Sequence, residues 1–327
     1  MRALTGIKPT DAPHIGNLLG MIEPALRLAE QHESYYFIAD YHALTTLHDA
    51  KRMRQHTREV AASWLALGLD PKKSCLFVQS DVPEVQELTW MLACVTGVGL
   101  LERAHAYKAA QDRNKEVNVG VFTYPVLMAA DILIYDSNLV PVGKDQKQHV
   151  EMARDMAISF NARFGQTLVV PEPLIREEVA TIPGLDGQKM SKSYHNTIPV
   201  FCSSKELRKK VMSIQTDSKG MDEVKDPDTC NIFALYRFFA TPEQQAELAA
   251  RYRAPGLGYG HAKQALFEAM EARLGAPRER YEALLSRPEE LEDILQDGAV
   301  RAQHLARNTM QRVREACGFL PTLRATR

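Results

Sequence analysis

Short runs of β-branched and aromatic residues alternate with longer helical patterns through the first half of the chain, and this alternation limits the fold more than any other feature. The strand candidates are residues 3–7, 35–39, 76–79 and 139–142, and the helix candidates between and after them are 17–31, 50–67, 83–94 and 145–160. Parallel strands need a crossover between neighbours, usually a helix, so this order predicts a parallel sheet wrapped by helices. Pro24 should kink the first helix or cut it short, because proline lacks the N–H and clashes with the preceding turn. After about residue 193 the β pattern fades. Residues 204–213, 231–239, 242–253 and 261–274 read as amphipathic helices, with PGLGYG and GAP as turns between them. The expected organisation is a doubly wound α/β domain over 1–193, a smaller all-helical domain over 194–297, and a C-terminal helix in 298–327 that returns to the first domain.

The composition supports a chain that buries a large core: 327 residues, 45% hydrophobic and 25% charged. The net charge of -1 gives no global field for a polyanion, so such a partner must be met by a local patch. One candidate lies at the end. Residues 301–327 hold Arg301, Arg307, Arg312, Arg314, Arg324 and Arg327 against a single acid, Glu315. Two readings of this run stay open, a nucleic-acid contact or a solvated helix face. The five cysteines form no CxxC pair and no zinc spacing, which suits reduced thiols in the cytoplasm. HVEMA at 149–153 lacks the second histidine of a zinc-protease helix, so no metal ligand set is assigned. No apolar run approaches the ~20 residues that span a bilayer, and neither a membrane nor a DNA partner is expected.

Two motifs carry chemistry. In TGIKPTDAPHIGN a strand runs through a Gly, Pro and Thr turn into a helix that begins near His14. A helix start presents free N–H groups and positive dipole to a phosphate, and Gly16 lets a nucleotide approach the backbone closely. His14 and Asn17 are placed to donate to an α-phosphate as charge builds there. In QKMSKS, Lys189 and Lys192 stand among small and polar residues between the two halves, where they suit a departing pyrophosphate. Read alone, His14 is equally a cap and the lysine run a solvated turn.

Taken together, HIGN and KMSKS resemble the signature of class I aminoacyl-tRNA synthetases. Residues 122–161, FTYPVLMAADILIYDSNLVPVGKDQKQHVEMARDMAISFN, and DYHALT at 40–45 resemble the bacterial tryptophanyl-tRNA synthetases. The resemblance implies a Rossmann-like, HIGH-type nucleotide-binding fold, with ATP and Mg²⁺, L-tryptophan and tRNA(Trp) as reactants, and a homodimer. It places Asp131 as acceptor of the indole N–H, with Met128 against the ring and His42 beside it. Tyr124 and Gln146 fall at the α-amino group, Gly143 and Asp145 at the ATP ribose, and Lys144 between them in the ATP site. Lys8, Pro9, Thr10, Gly16 and Asn17 fall in the first ATP loop, Ile182 against the adenine, and Lys189, Met190, Ser191, Lys192 and Ser193 in the second.

Without the resemblance, Asp131 reads as a cap or ion-pair partner and Met128 as core. Two departures stand out: Asp11 occupies a place where relatives often carry a small residue, and Ala110 one where a lysine approaches the phosphates, with Lys108 nearby. The alternatives are a tyrosyl-tRNA synthetase, a non-catalytic tRNA-binding relative, and a small nucleotidyltransferase with the same loop chemistry.

Overall fold

In a computed structural model that describes residues 1–104, 107, 118–142, 147–175 and 182–320, the described strands form one parallel sheet in the order β3-β2-β1-β4-β5. The strands are β1 (Arg2–Ile7), β2 (Glu33–Ile38), β3 (Cys75–Val78), β4 (Leu139–Val142) and β5 (Glu172–Ile175). Four of them are the expected ones. The fifth was not read from the sequence, because Glu172–Ile175 is short and carries Pro173. Proline is tolerated where the donor side of a strand faces no neighbour, and β5 is an edge strand paired only to β4. The strand order reverses at β1, and β1 is where the first motif begins. In doubly wound sheets the crevice at such a switch point is the usual ligand site.

The first helix is not continuous: Ile15–Asn17 is α-helical, Leu18–Ile22 is a π turn and Glu23–Ala29 is α-helical again. Pro24 sits in the first turn of the last piece, where a missing N–H does no harm. The backbone keeps helical dihedrals at both junctions, so the winding changes just before Pro24 without ending the run. Helices Ala50–Ala66, Glu84–Ala93, Val119–Leu133 and Lys147–Phe164 flank the sheet. Buried residues of the last three, such as Leu88, Ala129 and Met156, join Phe37 and Phe77 of the sheet in one core.

Beyond the second motif the described chain is helical, as expected: Ser204–Met212, Asn231–Tyr236, Pro242–Tyr252 and Tyr259–Leu285. PGLGYG is a turn, but GAP is not. Helix Tyr259–Leu285 runs straight through Gly275, Ala276 and Pro277. An interior proline costs about 3 kcal/mol, and local bonds offset it here. Arg278 forms a two-point pair with Glu271 at 2.8 and 3.1 Å across the proline. Leu274 and Leu284 are buried on either side of it.

The last helix, Pro288–Ala316, starts earlier than residue 298 and lies along the exposed edge of β3. Its arginines bond to other elements of the chain. Arg301 donates to the carbonyls of Pro71 and Ser74, Arg307 pairs with Glu84, Arg312 with Asp136, and Arg314 with Glu87. All four therefore tie the helix to the sheet domain, with Arg307, Arg312 and Arg314 still partly open to solvent; Arg324 and Arg327 lie outside the described residues. Gly298 is the point of closest approach. A Cβ there would stand 1.8 Å from the Leu76 carbonyl oxygen, and the Gly298 carbonyl accepts a bond from Cys75 Sγ at 3.0 Å. Gly298→Ala should lower stability by about 3 kcal/mol or more, since backbone must move to admit the methyl. A thermal melt checks this; an unchanged midpoint would contradict the packing.

Candidate active site

The loop after β1 turns into the helix at His14, whose extended backbone makes it the N-cap. Asn17 Oδ1 accepts the His14 N–H at 3.1 Å, so one end of the amide is committed to the cap and its NH₂ end is the one left for an anion. Gly16 has a second use besides approach: a Cβ would lie 2.9 Å from the His14 ring, so glycine leaves that ring its place. The His14 imidazole is buried, and its Nδ1 has no partner among the described residues. Burial first, and the Lys192 ammonium second, push its pKa down to about 4, while Asp11 opposes them. A ring so shifted is neutral at pH 7.

The second motif folds directly against the first. The Gly16 N–H contacts Met190 Sδ at 3.3 Å. Ile15 N donates to Ile198 O at 2.8 Å and Val200 N to Pro13 O at 3.0 Å. Ile182 and Met190 are buried with Ile15, Leu18 and Leu19 in one apolar cluster, and Met190 N donates to Ile182 O at 2.8 Å. Asn196 holds the loop's shape. Its Oδ1 accepts from Ser191 N at 2.8 Å, and its Nδ2 donates to Asp186 at 2.7 Å and to the Lys189 carbonyl at 3.2 Å. Ser191 caps the short 3-10 turn Lys192–Tyr194 by accepting from Ser193 N. Lys192 is half-buried and its pKa is lowered by desolvation, partly offset by Asp11. Lys189 is exposed. Asp11 faces solvent and accepts the Ala12 N–H at 3.0 Å. Its carboxylate is thus a counter-charge near Lys192, a use that the sequence left open.

A third set of side chains continues the row. Lys8 Nζ lies over the Tyr124 ring, 5.5 Å from its centroid, and desolvation of the ammonium end lowers its pKa although the side chain stays accessible. Pro9 is buried beside it in sequence and Thr10 half-buried. Tyr124, Met128 and Asp131 recur at i, i+4 and i+7 on helix Val119–Leu133, and so share one stripe. The Tyr124 hydroxyl bonds His149 Nε2, and burial raises its pKa to about 12. Met128 is half-buried against the main core. Asp131 is 1% exposed, and His42, 5% exposed, meets its Oδ2 through Nε2 at 2.8 Å. Gln79 Nε2 donates to Asp131 Oδ1 at 2.7 Å. Desolvation raises the Asp131 pKa, and the His42 and Gln79 bonds oppose the shift.

Comparison with known proteins fits this geometry. Residues 1–275 match the family model of tRNA synthetases class I (W and Y). The chain is 51% identical to the tryptophan–tRNA ligase of Pseudomonas putida, over 97% of this chain and 74% of that one. It is 49% identical to the ligase of Rhodopirellula baltica, over 98% of this chain and 100% of that one. The fold superposes on the tryptophanyl-tRNA synthetase of Campylobacter jejuni complexed with ADP and tryptophan. That match has a TM-score of 0.94 and 46% identity, and covers 98% and 100% of the two chains. The chain belongs to the tryptophan–tRNA ligases. It is an aminoacyl-tRNA ligase of class I, with the Rossmann-like sheet and helical C-terminal region of that family.

In this ligase the structure brings His14, Gly16, Asn17, Met190 and Lys192 together, and joins Asp131, His42, Tyr124 and Lys8 in a second group. Gly143, Lys144, Asp145 and Gln146 lie outside the described residues, as do Lys108 and Ala110. Sequence reasoning missed Gln79, His149 and Asn196. The only signal for Gln79 was a polar residue at the C-terminal end of a buried strand; His149 and Asn196 gave none.

Proposed function

We propose that the chain activates L-tryptophan with ATP and transfers it to the terminal adenosine of tRNA(Trp). The observation that carries this reading is the direct contact between the two motifs, which sets Lys192 beside His14 at the helix start. The buried Asp131–His42 pair lies beyond Tyr124 from there.

The tryptophan carboxylate attacks the α-phosphorus in line, the bond to the β-phosphate oxygen breaks, and pyrophosphate leaves. Lys8, Lys189, Lys192 and the Mg²⁺ that accompanies ATP meet the charge that moves onto it. Mg²⁺ would travel with the nucleotide phosphates and need no dedicated protein cage. His14 and the Asn17 amide donate to the α-phosphate oxygens. A neutral donor serves there without adding a charge that would hold the product. Pro9, Thr10 and Gly16 shape the loop over the phosphates, while Met190, Ser191 and Ser193 hold the second loop. Ile182 backs the adenine site, and Gly143 and Asp145 complete the ribose site, with Lys144 between them.

Asp131 accepts the indole N–H, His42 holds it, and Met128 faces the ring. Tyr124 and Gln146 receive the α-amino group. The tRNA hydroxyl then attacks the aminoacyl carbonyl and AMP leaves. We assign 1–193 to catalysis, 194–297 to the anticodon, where unpaired bases stack and are read by their edges, and 298–327 to the returning helix.

Charging of tRNA(Trp) by labelled tryptophan tests the whole reading, and no charging of any tRNA would overturn it. Because His14 is neutral above about pH 4, the activation rate should show no inflection from this group between about pH 5 and 9. A rate step near the usual histidine value that His14→Asn removes would contradict that.

The pairing of two copies rests on exposed apolar residues of adjoining helices. Trp90 is 72% exposed on Glu84–Ala93, Val98 is 61% exposed on Val98–Glu102, and Ile158 and Phe164 are exposed on Lys147–Phe164. Light scattering should give the dimer mass, with Trp90→Asp shifted to monomer; a monomeric parent protein would remove the dimer. No helix among the described residues is long and apolar enough to cross a membrane. The five free cysteines fit a cytoplasmic enzyme.

A further inference from the structure

The buried cluster around Asp131 contains one residue that the reading above leaves unused. Gln79, in the turn that follows β3, is 1% exposed. Its amide orientation is decided by its partner. An ionised carboxylate only accepts, so the NH₂ end faces Asp131 at 2.7 Å and Oε1 faces away. That Oε1 is buried and has no partner among the described residues. A methionine in the same place would fill similar space and strand no amide oxygen of its own, but it would leave Asp131 Oδ1 without its donor, so the glutamine is explained by the carboxylate it meets and not by its own fit. Residues that strand a buried acceptor in this way concentrate at functional sites.

We propose that Gln79 is a positioning residue for substrate choice, which keeps Asp131 ionised and turned toward the indole N–H and thereby sets the affinity for tryptophan but not for ATP. The inference rests on the assignment of Asp131 as indole acceptor and deepens it. A carboxylate stripped of water stays charged only if donors meet its oxygens. His42 meets one oxygen and Gln79 the other. If Asp131 took up a proton, it would carry a donor of its own in the site that has to accept one. The other groups that face Asp131 are Asp40, from the same short helix as His42, and Tyr135, one turn beyond Asp131 on its own segment; Asp81 stands by Asp40. Asp40 repels the Asp131 charge, so the two donors work against a like-charged neighbour as well as burial.

The test compares Gln79→Met and Gln79→Glu with Asp131→Ala in tryptophan-dependent pyrophosphate exchange, varying tryptophan, ATP and pH, alongside thermal melts. Gln79→Met should raise the KM for tryptophan about tenfold or more, as loss of a bond to a charged group implies, with the ATP KM held. Its rise in tryptophan KM on acidification should set in at higher pH than in the parent enzyme. Gln79→Glu puts a second carboxylate on Asp131 and should be worst at high pH, the opposite trend. An unmoved tryptophan KM and acid limb in Gln79→Met would overturn the proposal, and so would a joint rise of both KM values with a lower melting temperature, which marks a merely structural role. If Asp131→Ala loses tryptophan while Gln79→Met stays normal, only the role of Gln79 falls. If Asp131→Ala keeps its tryptophan KM, the indole assignment itself fails.

Discussion

Lys192→Ala should slow tryptophan activation by about 10²- to 10³-fold, the usual cost of losing one preorganised charge at a phosphoryl-type transition state. Tryptophan affinity should stay close to that of the parent enzyme. The asymmetry follows from position. Lys192 stands beside His14 and Asp11, on a turn capped by Ser191 and tied down by Asn196. A partly desolvated ammonium with one carboxylate nearby is held ready for a polyanion, and its attraction grows as charge moves to the leaving group. Single-turnover rates separate this from a binding defect, and an effect confined to affinity would contradict the role.

Asp131→Ala should have the second largest effect, a loss of tryptophan activation while ATP binding survives. The indole N–H then has no acceptor, which costs roughly 1 to 3 kcal/mol, and His42 and Gln79 lose theirs as well. Together these imply a fall in kcat/KM for tryptophan of about 10²-fold or more. The pH sign follows from the ionised form being the acceptor. Burial holds the Asp131 pKa above the ordinary carboxylate range, so tryptophan binding is complete above that raised value and is lost as pH falls through it. The loss begins at a higher pH than an exposed aspartate would give.

The parts of this site legible in the sequence are those whose logic is local. His14 to Asn17 read as a helix start because cap and dipole act within one turn. Tyr124, Met128 and Asp131 come through the resemblance, since helix Val119–Leu133 is not among the helix candidates. What stayed hidden depends on partners far along the chain. Gln79 and Asp131 are 52 residues apart, and the Gly16 to Met190 contact spans 174. The arginines of the last helix looked like a free basic run because Glu84, Glu87 and Asp136 lie in other elements. Likewise, GAP read as a turn because local propensity opposes a helix there, and the Glu271–Arg278 pair that overrides it becomes evident only once the helix exists. Local rules found the motifs; packing decided which charges were already spoken for.

The central claim is that this cleft joins tryptophan to ATP, and amino-acid-dependent exchange of labelled pyrophosphate into ATP tests it most directly, with tryptophan, tyrosine and phenylalanine side by side. Exchange with tryptophan, and none above background with the other two, is the predicted result. Exchange driven by tyrosine, or none with any of the three, would contradict it.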